Sequence, residues 1–588
     1  MFRKALSSSV KVACMGLLLS SCGHSHNDGS GGSAVVTPPL SPQDALATAT
    51  PIKHLVVIFG ENESFDHYFG TYPQSADPTG EPTQKWVAPS NVANVNGYVR
   101  NASLLTANPN TTNAANLAKA SSAGFSASFM NPFRLDRAQF DTSSQNHAYT
   151  PEQLGTDNLK MDAFVANTGA TNAAGAAGAF GTVAQVMGYF DGNTVTGMWN
   201  YAQNFAMSDN AFTDSFGPST PGALNVVSGQ TNGGSVATSS TVPDGQGGFT
   251  LINDSDPTGD TCSTKTSATI QMSGKNIGDL LNTANITWGG FMGGFDLSAS
   301  NANGTTGCAR STVSPNTNRT VTDYTPHHAW FQYFASTTNP QHTRPSSTAM
   351  IGHTEPTLDA AGSATPVHHQ YDYNDFVASV SAGNFASVSY IKAPAFQDAH
   401  PGNSNPLDEQ AFVAKVVNFL EQQSDWKNTA VIVAYDDSDG WYDHQAPNII
   451  TSSFDSLTAQ GVNLPSKTVV GADQLTSPGV CTGPNAKQGV GVSGKLVNGL
   501  CGPGTRTPFI VISPYAKVNY VDSTPITQAS IVRFIEDNWL GGQRLGGGSK
   551  DAAAGSIMAM FDFTAAPHLT PVFVDPTTGT KTSTAPAA

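Results

Sequence analysis

Two short apolar runs in this chain end abruptly in acidic residues. His54–Phe59 stops at Gly60, Glu61 and Asn62 within Ile52–Gly70, IKHLVVIFGENESFDHYFG. Thr429–Asp437, TAVIVAYDD, closes on Asp436 and Asp437. Apolar runs of this length, bounded by Gly and polar residues, predict buried strands. Ser387–Lys392 and Pro508–Ser513 predict two more. Elsewhere the period changes. Leu407–Gln423 sets Phe412, Val413, Val416, Val417, Phe419 and Leu420 at helical spacing, and Thr527–Leu540 repeats this with Ile531, Phe534, Ile535 and Leu540. Strands alternating with helices predict an α/β fold built on a mostly parallel sheet covered on both faces.

Other stretches lack such patterning. Residues 23–50 read as a polar, Pro-containing linker. Residues 80–130 are rich in Asn, Ala and Ser, and residues 231–320 in Gly, Ser, Thr and Asn. Both read as loop-rich insertions, or a small subdomain, over the sheet's active edge, the second a candidate lid. The segment 566–588, rich in Pro and Thr, reads as an extended tail.

Composition narrows the field. Only 12% of the 588 residues are charged, and the formal net charge is -16. That balance argues against nonspecific nucleic-acid binding and against simple attraction to anionic lipid. It does not exclude anionic substrates, because a bound cation can reverse the field locally. Arg3, Lys4 and Lys11 precede the apolar stretch Val12–Leu19, then Ser20, Ser21 and Cys22. This is the pattern of a bacterial export signal over residues 1–22, too short to span a membrane. Leu19-Ser-Ser-Cys22 resembles a lipobox, which makes Cys22 the expected acylation site and membrane anchor; an ordinary cleaved signal is the plainer alternative. The expected location is the periplasm, the outer membrane as a lipoprotein, or the medium. No other run of about 18 apolar residues occurs, so no transmembrane helix is expected. Beyond Cys14 in the signal, Cys262, Cys308, Cys481 and Cys501 remain. An even number in an exported chain predicts two disulfides, and local closure favours Cys262–Cys308 and Cys481–Cys501. No CxxC spacing supports a cysteine metal site.

In open α/β sheets, ligands bind beyond the carboxyl ends of the strands. Glu61, Asn62, Asp436 and Asp437 are oxygen donors at two such ends, which predicts one divalent-metal site. Their chemistry admits Ca, Mg or Mn, and Zn less comfortably. Asp214–Gly229, DSFGPSTPGALNVVSG, offers a nucleophile. Ser219 and Thr220 precede Pro221 and an apolar helix start, the pattern of an N-cap. A hydroxyl there sits among free backbone N–H groups that welcome a phosphate oxygen. A metal would lower its pKa. Alone, the motif reads as a helix cap; beside two acidic strand ends it reads as chemistry. Histidines could supply positive charge and a proton. His147, His327, His328, His368, His369, His400 and His444 all sit in unusual settings, and His400 lies just past the strand Ser387–Lys392.

The segments ENESFDHYFG, NHAYTPEQ, FGPSTPGALN, TPHHAWFQY, QDAHPG and AYDDSDGWYDH, in this order, resemble the bacterial phosphoesterase family of acid phosphatases and phospholipases C. The resemblance runs from about residue 52 to 540. It implies a three-layer α/β/α sandwich like that of alkaline phosphatase, occupying residues 51–565, with one divalent metal at the sheet edge. Residue by residue it implies Glu61, Asn62, Asp436 and Asp437 as metal ligands and Ser219 as the metal-bound nucleophile. It also implies a phosphate pocket lined by His147, His327, His328 and His400, with His400 the favoured proton donor. His368 and His369 match nothing in the pattern. The implied reaction is two-step hydrolysis of a phosphate ester through phosphoserine. Protonated histidine implies an acidic optimum.

Pro221-Gly222-Ala223 and Ser438-Asp439-Gly440 resemble the acid phosphatase branch. The phospholipase branch has Thr as nucleophile, reads Thr-x-Pro-Asn-Arg there with Gly-Gly after the acidic pair, and carries a long C-terminal extension. The favoured expectation is a phosphomonoesterase. The alternative is a phospholipase C cutting phosphatidylcholine-type diesters. Sulfatases need an arginine that GPSTPG lacks. Asp439, Asp443 and His444 leave room for a second metal. A secreted calcium-binding adhesive protein would explain the carboxylates but leaves Ser219 and the histidines unused.

Overall fold

The computed structural model describes residues 42–76, 86–170, 182–264, 268–355, 368–452, 481 and 486–586. The expected signal, Cys22 and much of the linker lie outside the described residues. The core is an eight-stranded sheet. Its strands are β1 (His54–Gly60), β2 (Ala206–Ser208), β3 (Trp288–Met292), β4 (Gln370–Asp372), β5 (Val388–Lys392), β6 (Thr429–Tyr435), β7 (Phe509–Ile512) and β8 (Tyr520–Asp522). They lie in the order β4-β3-β5-β1-β6-β7-β2-β8. Of these eight, β7 runs against the rest; every other neighbouring pair is parallel. The expected mostly parallel α/β sheet is what forms.

The two central strands are buried at every position. A strand buried throughout is covered on both faces, which is why these segments read as unbroken apolar runs. The main helices are α1 (Phe65–Phe69), α2 (Tyr149–Thr156), α3 (Thr196–Asn204), α4 (Ser219–Ser228), α5 (Tyr373–Ser381), α6 (Pro406–Glu421) and α7 (Ala529–Trp539). Helix α6 starts where Asn405 accepts the N–H groups of Leu407 and Asp408, with Pro406 at its first position. Helices α4 and α7 pack against one another, as do α3 and α6. The Tyr390 hydroxyl of β5 donates to the Val226 carbonyl of α4 at 3.2 Å, tying that helix to the sheet.

The insertions carry some local order. Ala114–Ser122 is a short helix capped by Asn113, which sequence periodicity does not foretell because only Asn116 and Ala120 are buried. In the second insertion, Asn232–Gly234, Thr241–Pro243 and Phe249–Leu251 form a small antiparallel sheet. Cys262–Cys308 and Cys481–Cys501 are bonded, the pairing that local closure favours. Near the C-terminus Val574 is buried and exchanges two hydrogen bonds with the Asn418 side chain of α6. Among the described residues, no helix is long and apolar enough to cross a membrane.

Candidate active site

Strands β1 and β6 pair in parallel from His54 opposite Thr429 to Gly60 opposite Tyr435. The residues after them, Glu61 and Asp436, therefore leave the sheet side by side. Asn62 turns with φ 61°, a conformation Asn tolerates, and its N–H donates to Asp436 Oδ1 at 3.0 Å. Helix α4 brings the hydroxyl. Gly222 makes this possible: a Cβ there would stand 2.3 Å from the Asp436 carbonyl oxygen, so only glycine lets the helix lie on that loop. Ser219 Oγ donates to Glu61 Oε2 at 2.9 Å, with Asn62 Oδ1 at 3.4 Å and Asp437 Oδ2 at 3.3 Å. Taken alone, the sequence motif makes Ser219 or Thr220 a helix cap. Ser219 is instead the first helical residue and caps nothing, its hydroxyl being turned to the carboxylates. Asp254 does the capping from outside, accepting the Thr220 N–H at 2.9 Å and its hydroxyl at 3.0 Å.

Glu61, Asn62, Asp436, Asp437 and Ser219 are each no more than 2% exposed. Burial raises the carboxyl pKa values, and their mutual proximity adds to it. Asp437 is pushed well up by burial and by Asp436, and Asp436 is pushed up to about 7 by burial and by Glu61. Burial also pushes Glu61 up, but the Lys392 ammonium, the hydrogen bond with Asp436 and the His400 charge together outweigh it and hold its pKa below the usual value. Lys392, at the end of β5, is itself buried; its Nζ donates to Glu61 Oε1 and stands 3.7 Å from Asp436 Oδ2. Among the described residues, Asp436 Oδ2 accepts no hydrogen bond. His328 Nδ1 lies 3.0 Å from Glu61 Oε1, and Glu61, His328 and Asp398 also bring ligand atoms within 4.8 Å of one another. Burial, then the neighbouring His327 charge, holds the His328 pKa well below the usual imidazole range. Packed buried oxygen donors short of positive charge fit a hard divalent cation.

Around this group stand the other histidines. His147 Nδ1 lies 3.0 Å from Asp439 Oδ1 and 2.9 Å from the Gln145 carbonyl. Asp439 also accepts from the Asn62 amide at 3.1 Å, the Ser144 hydroxyl at 2.8 Å and the Gln145 N–H at 2.8 Å. Burial opposes charge on His147, but Asp437 and Asp439 raise its pKa well above the ordinary value. His327 is opposed by burial and raised by Asp254 and Asp256. Its side chain is 31% exposed, which marks the open side of the site. The His400 ring lies 5.9 Å from that of His147, and its Nδ1 is 2.8 Å from the Pro401 carbonyl.

The structure thus brings together Glu61, Asn62, Ser219, Asp436, Asp437, His147, His327, His328 and His400. It adds Lys392, Asp254 and Asp398, which sequence reasoning did not assign to this centre, and Asp439, which it named only as a candidate ligand for a second metal. Asp443 and His444 do not join it. They surround Asp66 with Arg506, whose guanidinium reaches Asp66 Oδ1 at 2.9 Å and Asp443 at 3.1 Å, so a protein cation already balances that cluster. His369 is stacked on Trp288, with ring centroids 4.3 Å apart, and its pKa is lowered to about 4 by burial.

A model of the family described as Phosphoesterase family matches residues 52–540. A non-haemolytic phospholipase C of Pseudomonas aeruginosa is 29% identical over 161 residues, which is 27% of this chain and 21% of that one. One of Burkholderia pseudomallei is 29% identical over 159 residues, covering 27% of this chain and 19% of the relative. Phospholipase C A of Mycobacterium tuberculosis is 26% identical over 196 residues, a third (33%) of each chain. The matched segments therefore span no more than a third of these relatives' own length.

Proposed function

The chain belongs to the phosphoesterase family, and from that premise we propose that it is an exported, metal-dependent hydrolase of phosphoric esters that works through a phosphoserine. The observation that carries this reading is the Ser219 hydroxyl, first residue of a buried helix, 2.9 to 3.4 Å from Glu61, Asn62 and Asp437. A divalent cation held by Glu61, Asn62, Asp436 and Asp437 would supply Lewis acidity, lowering the pKa of the serine oxygen and drawing charge from the phosphoryl group.

The chain's own residues do the rest. With the Thr220 N–H at the start of α4 held by Asp254 and no N–H on Pro221, the phosphate's charge falls to the histidines. Protonated His147 and His327 hold the phosphate's charge. The Ser219 proton leaves along its hydrogen bond to Glu61 Oε2, and Ser219 Oγ attacks phosphorus in line. The bond from phosphorus to the ester oxygen breaks, and His400 Nε2 gives the departing alcohol its proton. Water then attacks the phosphoserine, giving a proton back to His400 Nε2; the P–Oγ bond breaks, phosphate leaves, and the proton held on Glu61 returns to Ser219 Oγ. Such a centre suits the alkaline-phosphatase-like sandwich that the sequence motifs imply.

Two imidazoles biased toward the charged form favour a dianion over a singly charged diester, so phosphomonoesters are the preferred substrates. The relatives' names favour a second reading, phospholipase C acting on phosphatidylcholine-type diesters. Export is supported by the two disulfides. The test is hydrolysis of p-nitrophenyl phosphate against p-nitrophenyl phosphorylcholine from pH 4 to 9, for wild type and Ser219→Ala. Monoester cleavage at acidic pH, lost by roughly a thousandfold or more in the variant, is expected. Dominant diester cleavage would move the protein to the second reading. Activity surviving in the variant would remove Ser219 from the mechanism.

A further inference from the structure

Helix α2 lies outside the sheet, yet one of its side chains touches both loops that build the centre. Glu152 is 1% exposed. Its Oε2 accepts the Gly217 N–H at 2.9 Å, and its Oε1 accepts the Ser438 hydroxyl at 2.8 Å. Gly217 lies two residues before Ser219, and Ser438 follows Asp437 directly. Gly217 has φ +119°, so the loop turns sharply at the residue whose N–H is held. The same helix reaches the preceding residue indirectly. The Tyr149 hydroxyl accepts the Cys501 N–H at 3.1 Å, and the Cys501 carbonyl accepts the Phe216 N–H at 3.0 Å. Ser438 Oγ also accepts the Gly440 N–H at 3.1 Å, so the hydroxyl is oriented from both sides.

We propose that Glu152 is a positioning residue that fixes the separation between the Ser219 nucleophile and the Asp437 carboxylate, one carboxylate oxygen holding each loop. The inference rests on the phosphoserine reading of this site. It follows from the chemistry of the group. A buried carboxyl group offers an acceptor to a backbone N–H at one oxygen and pairs with a hydroxyl at the other. Without it, the Gly217 N–H is left in a dry interior and the loop must shift to satisfy it. A reacting atom displaced by about 1 Å costs roughly a hundredfold in rate. Glu152 touches neither the substrate's phosphorus nor the ligands themselves, so its loss should act on the chemical step and leave ground-state binding largely alone.

The test compares Glu152→Ala and Glu152→Gln with wild type on p-nitrophenyl phosphate, alongside Ser219→Ala. Gln keeps an acceptor for the Gly217 N–H, and its amide can donate to Ser438 Oγ. The expected result is a fall in kcat of roughly a hundredfold for Glu152→Ala with KM nearly unchanged, and recovery of most of that loss in Glu152→Gln. Hydrogen exchange should speed up at residues 214–220 and at 437–440 in Glu152→Ala, and nowhere else. Equal losses in both variants that track a fall in Tm, or exchange that rises uniformly, would make Glu152 a stability residue and overturn the proposal. An unchanged kcat in Glu152→Ala would also overturn it. If Ser219→Ala kept full activity, the phosphoserine reading would fall instead, and the exchange measurement would still decide whether Glu152 holds the loop.

Discussion

Asp439 shows how one side chain can tune several others. It accepts from Asn62, Ser144 and Gln145 and lies against His147, with no exposure of its own. It thereby points the Asn62 oxygen at Ser219 and favours the charged form of His147. The sign of the pH effect follows. A histidine whose pKa is raised in the folded site is protonated below that raised value and loses its proton as pH climbs through it. Asp439→Asn removes one of the three carboxylate charges that raise His147, those of Asp437, Asp439 and Asp254, so the alkaline limb of kcat/KM should move to lower pH. A pH–rate profile from pH 4 to 9 measures this, and an unmoved limb would mean that another group titrates. Asp439 was legible in the sequence as an acid near the strand end, but not as the partner of His147. The two meet only because the chain after β6 folds back under residues 143–147, and no local spacing records that. Glu61, Asn62, Asp436 and Asp437 were legible because a strand end fixes both a position and a direction. Lys392 was read only as the end of a strand, since its reach to Glu61 depends on β5 lying next to β1.

Elements carry their own predictions. Glu536, in the last turns of α7, is pushed up to about 9 by burial and by its hydrogen bond with Asp551, which Arg544 only partly offsets. In the unfolded chain the same carboxyl ionises near about 4.3. Between those values the folded state holds a proton that the unfolded state has released, so wild-type stability declines as pH rises across that window. Glu536→Gln has no proton to lose. The stability difference between Glu536→Gln and wild type, from urea unfolding, should grow in the variant's favour from about pH 5 to about pH 9. The Cys262–Cys308 bridge closes a loop with a sequence separation of 46. Chain-entropy arguments put its contribution at about 4 kcal/mol, so Cys262→Ser with Cys308→Ser should lower the unfolding free energy by an amount of that order. A change below about 1 kcal/mol would show that the insertion is ordered without it. The strands and the long helices were readable from periodicity alone. The reversed direction of β7 was not, because apolar alternation carries no sense of direction. At the start of α4, a serine before an apolar helix ordinarily caps it, and here neighbouring carboxylates hold the hydroxyl instead.

At the scale of the whole molecule, charge works against the proposed substrate. The net charge of -16 repels a phosphate dianion at neutral pH, while the cationic groups that would hold it are confined to the pocket. Raising ionic strength from about 0.01 to 0.15 M shortens the screening length from about 30 to 8 Å. At pH 7 this should raise kcat/KM for a dianionic monoester and leave that for a zwitterionic phosphorylcholine ester nearly constant. A steep fall with salt would mean that the pocket's field reaches well beyond the surface.

The contacts of the centre also set when it can exist. Asn62 meets Asp436 across 374 residues, Ser219 meets Asp437 across 218, and Ser219 meets Glu61 across 158. None of these closures is local, and each must follow a long search. During synthesis β1 emerges long before the strand that completes its acidic edge, and for that interval it is an unpaired apolar ribbon in need of protection. Helix content should therefore return early in refolding and ester hydrolysis late, which makes the enzyme's own turnover a clock for the last long-range pairing of its sheet.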